Sequence, residues 1–217
     1  MRNAAFVATC VLVCALVSAG CAEKIGDVPV AAAYFYPAKE NVEYVYSIEN
    51  SKERVVRILA VKKPDGGAVA MRAEESMALV SGSFKSALEY SVDSGGAAVI
   101  GSGGYPVLKN PLQKGTEWDM PLADYADMLD KNGERIKPVG KVIGTMRCVF
   151  DKASTVDVAG VKYQSIEIGC APKGGDLSSL GSAKTYVYAK GIGYVGWKFN
   201  LLGSAVWVER LKEVSGL

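Results

Sequence analysis

The chain has 217 residues, 49% of them apolar and 22% charged, with 25 Lys and Arg against 23 Asp and Glu and no histidine. This balance describes a globular chain and excludes the collagenous, disordered and multi-span membrane classes. The missing histidine removes His-based triads, general bases and metal ligands, and a formal charge of +2 leaves no basic footprint for nucleic acid.

Met1-Arg2-Asn3 is followed by residues 4–17 without a charge, then by Ser18-Ala19-Gly20-Cys21. A positive start, a short apolar run and small residues before a break form the pattern of a secretory signal peptide. As a helix the run spans roughly 21 Å, short of the roughly 30 Å hydrocarbon core, so removal is expected rather than a permanent span. The small residues directly before Cys21 resemble the lipobox of bacterial lipoproteins, with Ser18 where leucine is usual. That resemblance implies a signal peptide over residues 1–20, lipidation of Cys21 and a tether over residues 21–29. A single β-rich domain over residues 30–217 would follow. Ala22 in place of aspartate implies the outer membrane, with the domain facing the periplasm and attached through its N-terminal lipid.

Val42, Tyr44, Tyr46 and Ile48 alternate with Glu43 and Ser47, which predicts a half-buried strand over residues 42–48. A turn at Asn50-Ser51-Lys52 leads into a second strand over residues 54–62. Pro64-Asp65-Gly66-Gly67 forms the next turn, because Pro presets the backbone and Gly accepts positive φ. Further strands are predicted over residues 68–75, 86–92 and 97–100, the last two as a hairpin. A loop around Pro111 runs into a short strand near Trp118. Residues 121–131 predict the one helix: Leu122, Tyr125, Ala126 and Leu129 recur at helical spacing, Pro121 opens the run and Asn132-Gly133 closes it.

The C-terminal third predicts strands over residues 141–150, 155–158, 161–170, 184–189, 192–199 and 205–213, separated by turn signals such as Ala159-Gly160 and Leu202-Gly203. The fold class is therefore mainly β: one curved antiparallel sheet, as a half-barrel or sandwich-like meander, with one short helix packed on it. The stretch from Lys184 to Val195, together with Pro111-Leu112, Lys114-Gly115-Thr116 and Trp118, resembles uncharacterised all-β bacterial envelope proteins. The architecture is also similar, at the fold level, to the half-barrel carriers of lipoproteins, which hold acyl chains in a concave face.

Cys148 and Cys170 are the only cysteines after Cys21, and an exported chain meets an oxidising compartment, so a disulfide is expected. If Ala159-Gly160 is a two-residue loop, Val158 pairs with Val161 and position 148 faces 171, turning Cys170 to the other side of the sheet. The disulfide then requires a one-residue bulge or a longer turn, the alternative being two buried thiols.

Gly191, Gly193 and Gly196 satisfy G-x-G-x-x-G, but strand formers follow instead of a helix, so a hairpin turn is predicted rather than a dinucleotide site. Asp124, Asp127 and Asp130 read as a solvated helix face rather than a cation site. Glu74 and Glu75 fall on opposite faces of a strand and are read as exposed rather than as an acid/base pair. Trp118, Trp197 and Trp207 are assigned to packing, with Trp197 and Trp207 able to share one face. No catalytic residue, metal site or cofactor is expected, and the ligand-binding residues are unknown. The expected function is a non-enzymatic envelope lipoprotein that binds a protein partner or an apolar ligand. A half-barrel carrier of lipid is the first alternative. A cell-wall or glycan hydrolase with paired carboxylates is the alternative from another class.

Overall fold

The computed structural model describes residues 30–48, 52–63, 69–79, 82–93, 98–101, 106–124, 128–129, 135–136, 141–173 and 184–217. The signal peptide, Cys21 and the tether lie outside these residues, as do the turn at 64–67 and the residues Asp127, Asp130 and Asn132-Gly133.

A single 3-10 turn, Ala31–Tyr34, precedes the strands. In chain order these are β1 Glu43–Ile48, β2 Lys52–Lys62, β3 Val69–Leu79, β4 Gly82–Val92, β5 Ala98–Ile100, β6 Pro106–Lys109 and β7 Glu117–Asp124. They continue as β8 Met128–Leu129, β9 Arg135–Ile136, β10 Lys141–Val158, β11 Val161–Pro172, β12 Lys184–Ala189, β13 Gly193–Leu201 and β14 Ser204–Ser215. Twelve of them form one antiparallel sheet in the order β6-β5-β4-β3-β2-β1-β14-β13-β12-β11-β10-β7, while β8 and β9 pair with each other. The order is a meander in which only the β1–β14 pairing joins distant parts of the chain. Its two edge strands, β6 and β7, are consecutive in sequence and lie against each other without pairing. The sheet is therefore rolled far round but is not closed into a barrel.

Alternation decides which residues face inward. Across the roll, Tyr44 pairs with Val56, Ile58 with Ala73, and Ala73 with Leu88. On the other half, Tyr186 pairs with Ile168, and Ile168 with Phe150. These inward rows merge into one core that includes Val42, Tyr44, Tyr46, Val56, Ile58, Ile166 and Ile168, each at most 1% exposed.

The described residues of the predicted helix, 121–124 and 128–129, are strands instead. Pro121 to Asp124 belong to β7, paired with β10 from Pro121↔Thr145 to Asp124↔Lys141, and Met128–Leu129 is a short strand. The long β10 needs a partner along residues 141–149, and β7, as an edge strand, tolerates a proline that cannot donate to a ladder. At Pro121 to Asp124 strand pairing thus prevailed over helical spacing. A strand also forms at Pro106–Lys109, to which no element is assigned from the sequence, and the predicted strands 141–150 and 155–158 are one strand.

The join within that strand is a bulge. Val158 pairs with Val161 and Lys152 with Glu167, but Phe150 pairs with Ile168, so Asp151 has no opposite number. The one-residue shift brings Cys148 opposite Cys170, with the sulfurs at disulfide distance, 2.05 Å.

Gly196 sits where β13 passes closest to β14. Its φ is +143°, and a Cβ there would lie 2.1 Å from the Glu209 carbonyl oxygen. Gly196→Ala should therefore destabilise the fold by at least about 3 kcal/mol, through a clash with backbone that cannot swing aside. Gly169→Ala, whose Cβ would meet nothing within 4 Å, should change stability by less than about 0.5 kcal/mol. Urea unfolding of the two variants, with equal m-values, is the check.

Candidate functional site

The concave face holds one charged group deep among aromatics. Arg54 occupies an inward position of β2, directly opposite Tyr46 of β1. Its Nη1 lies 3.1 Å from Glu75 Oε1 of β3, and its Nε donates to Glu209 of β14. The guanidinium also stacks over Tyr46, 4.4 Å from the ring centroid, and stands 5.6 Å from that of Tyr194 on β13. Both carboxylates are largely withdrawn from water, with side-chain exposures of 17% for Glu75 and 8% for Glu209. Glu75 is thus an inward, ion-paired residue, which corrects the expectation of exposure, while Glu74 pairs across the strands with Arg57 on the other face.

Hydroxyls complete the cluster. Tyr194 donates to Glu209 Oε2 at 2.7 Å, and Tyr46 donates to the Tyr194 carbonyl at 3.0 Å. With its own proton so used, Tyr46 accepts from the Tyr36 hydroxyl at 3.0 Å. Tyr36 belongs to the segment that follows the 3-10 turn and lies across the mouth of the sheet. Its ring packs 4.7 Å from Tyr44, and that of Phe35 packs 4.9 Å from Tyr90. The segment is pinned by Gly191 donating to Ala33 and by Ala31 donating to Asn110 Oδ1. A Cβ on Gly193 would stand 2.8 Å from Tyr36, so the approach there is close.

The electrostatics follow from burial. Desolvation raises Tyr36, Tyr46 and Tyr194 well above the ordinary tyrosine range, and for Tyr194 the nearby Glu209 carboxylate adds to the rise. Desolvation works to lower Arg54, but Glu209, the tyrosines and Glu75 overcome it and hold the guanidinium charged. Chemically the cluster is a charge held by two carboxylates, and the second oxygen of one of them, Glu209, is taken up by Tyr194. The third buried carboxylate, Glu167, lies on the opposite face, 3.0 Å from Lys198 Nζ and accepting from Ser154 Oγ at 3.1 Å. No cluster of three or more His, Cys, Asp or Glu suited to a metal occurs among the described residues.

The other sequence-derived candidates are dispersed. Trp118 is buried beside Cys148, its register partner. Trp197 pairs with Glu209 and Trp207 with Lys198; the register shift between these pairs leaves Val208 extra and turns the two indoles to opposite faces. The glycine run forms the turn and first part of the β12–β13 hairpin. The residues missed at the sequence level are Arg54, Glu209 and Tyr36. The first two carry a signal: each is a charge at an inward parity, between apolar neighbours such as Val56 and Leu211.

No family model matches the chain, and no curated protein matches it. Two solved structures are similar to it. A "putative exported protein with YmcC-like fold" from Bacteroides fragilis has 13% identity and a TM-score of 0.47, covering 85% of this chain and all of that one. A "putative lipoprotein" from Parabacteroides distasonis has 12% identity and a TM-score of 0.46, covering 84% of this chain and 99% of that one. At this distance neither carries a function across.

Two tests probe the cluster. The Tyr44 hydroxyl is buried without a hydrogen-bond partner among the described residues, so Tyr44→Phe should stabilise the protein by about 1 kcal/mol, whereas Tyr46→Phe should cost about 1–2 kcal/mol. Denaturant midpoints that move in the same direction for both would contradict this. The raised tyrosines also set an alkaline limit. Above pH ~10 the unfolded chain releases phenolic protons that the folded chain retains, so stability falls by about 1.4 kcal/mol per pH unit for each such tyrosine. Tyrosinate absorbance of these residues should appear together with loss of tertiary signal, well above pH 10, rather than as a separate earlier titration.

Proposed function

We propose that the mature chain is a non-enzymatic binding module of the bacterial cell envelope, anchored through a lipid on Cys21 to the outer membrane and facing the periplasm, and that what it binds is a protein rather than an acyl chain. The address rests on the leader: Arg2, the uncharged residues 4–17 and the small residues before Cys21. The choice of protein over acyl chain rests on one observation. The face in which a half-barrel carrier would hold its cargo is occupied by the chain's own Phe35 and Tyr36, 3% and 6% exposed, and by the ion-paired Arg54. An acyl chain entering there would have to displace packed rings and meet a desolvated charge. A carrier needs a continuous apolar cavity, whereas an interaction module works with a filled core and an outward surface.

The hydrolase alternative asks for two carboxylates flanking a substrate, one free to donate a proton and the other to attack or activate water. Glu75 and Glu209 share a single guanidinium, and Glu167 lies on the other face of the sheet, so among the buried carboxylates of the described residues no pair stands poised across a cleft.

Native mass spectrometry of the mature chain, purified gently from its own envelope, should show one covalent acyl modification and no retained small molecule. A reproducible non-covalent lipid adduct would overturn the choice of a protein partner in favour of the carrier. Cys21→Ser should abolish the covalent mass and release the chain from the membrane fraction; unchanged mass and fractionation would overturn the anchor.

A further inference from the structure

The β13–β14 hairpin ends in a turn whose composition does not suit its geometry. Leu202 and Gly203 have φ of +50° and +84°, a two-residue turn with both central residues in the left-handed region. Asn-Gly is the usual choice there, because a bulky side chain crowds its own backbone at positive φ. Here the first position is a leucine, 95% exposed, beside Leu201 at 52%. Neither packing nor turn chemistry accounts for it.

Three further observations surround it. From Phe199 to Val208 the sequence carries no charge: Phe-Asn-Leu-Leu-Gly-Ser-Ala-Val-Trp-Val. Behind this apolar end stands one indole on each face of the hairpin, and each is covered by cations. Lys184 Nζ lies 4.8 Å from the centroid of Trp197 and the Arg210 guanidinium 5.3 Å from that of Trp207, while Lys198, 5.6 Å from Trp207, is held by Glu167. Trp207 is three residues behind Ser204, about 10 Å at the strand rise. Apolar side chains at the tip with indoles and basic groups one headgroup depth behind are the arrangement by which proteins seat in a bilayer interface, the rings and cations lying among the headgroups. Other exposed large apolar residues, such as Leu59 on β2, lack this setting.

We infer that the β13–β14 tip is a membrane-docking element: Leu201 and Leu202 enter the edge of the acyl region of a phospholipid leaflet, with Trp197, Trp207 and their cations at headgroup level. The contact goes beyond the anchor at Cys21 and rests on that proposed anchor to bring the chain to a leaflet. A leucine pair buries too little area to hold the protein on a membrane alone, so the element sets orientation once the chain is near a leaflet.

The test is photo-cross-linking in intact cells, with a photoreactive amino acid at position 202 of the full chain and, as comparison, at position 59. Position 202 should give phospholipid adducts several-fold above position 59. Adducts to a polypeptide, whether another protein or a second copy, would overturn the assignment, as would equal yields at both positions. A second variant separates this role from a structural one. Leu202→Asn places a residue suited to the turn, so the melting temperature should hold or rise while lipid adducts from a photoreactive group at position 201 fall several-fold. A lowered melting temperature would make Leu202 a structural residue and overturn the inference. Loss of adducts in a chain that still carries its acyl group would sink the docking element alone. Adducts from a chain found unacylated would instead sink the anchor alone.

Discussion

The fold is organised around the burial of one guanidinium. Taking a charge out of water costs several kcal/mol unless it is paired and its donors are met, and the solution at Arg54 draws on six parts of the chain. β2 supplies the charge, β3 and β14 the carboxylates Glu75 and Glu209, β1 and β13 the flanking rings Tyr46 and Tyr194, and the N-terminal segment Tyr36. A rolled sheet with an unpaired seam has no ladder that forces its curvature. A charged centre satisfied only when β3, β14 and β13 curve toward β2 supplies such a constraint. Removal of one partner would leave the others desolvated without compensation, which ties the N-terminal segment to the state of the whole roll.

Much of this was legible in the residues, and the parts that were not share a cause. The alternation of Val42, Tyr44 and Tyr46 is a local property of a strand with one wet face, and the three are fully buried. The hairpin arithmetic around Ala159-Gly160 required a one-residue bulge before Cys148 could meet Cys170, and Asp151 is that residue. Both inferences use only period two and a turn. The helix over residues 121–131 failed because Leu122, Tyr125, Ala126 and Leu129 match a helical stripe over a run too short to stand without tertiary support. What decided Pro121 to Asp124 was the demand of β10, some twenty residues downstream, for a neighbour. Glu75 was misplaced for a similar reason: its parity was readable, but its partners come from β2 and from there reach to β14. Pairing at long range is what one strand's pattern does not contain.

The cluster's position also explains why no ligand chemistry could be read from the chain. The inward positions that would define a pocket carry tyrosines, which bring both apolar area and a hydroxyl, and the structure uses those hydroxyls on one another and on Glu209. Side chains of the same type could equally line an open cavity. The difference lies in residues 35 and 36, which fill the space from outside the sheet.

With the core filled, the proposed binding role falls to the surface, and two distinct ends of the sheet bear on it. The N-terminal segment meets the β12–β13 turn, where Gly191 donates to Ala33, whereas the Leu201-Leu202 tip lies at the far end of β13, roughly 27 Å away at the strand rise. A tether over residues 21–29, as proposed, reaches about 30 Å when fully extended. If the sheet stands steeply to the membrane, the proposed anchor and tip would meet one leaflet only with the tether run almost straight along the body of the sheet. Such a two-point seat would hold the sheet's long axis steeply to the membrane and fix which strands face the periplasm. On the proposed anchor and docking tip, a tether shorter by a few residues would lift the tip off the leaflet, so its length would matter to orientation alongside its lipid.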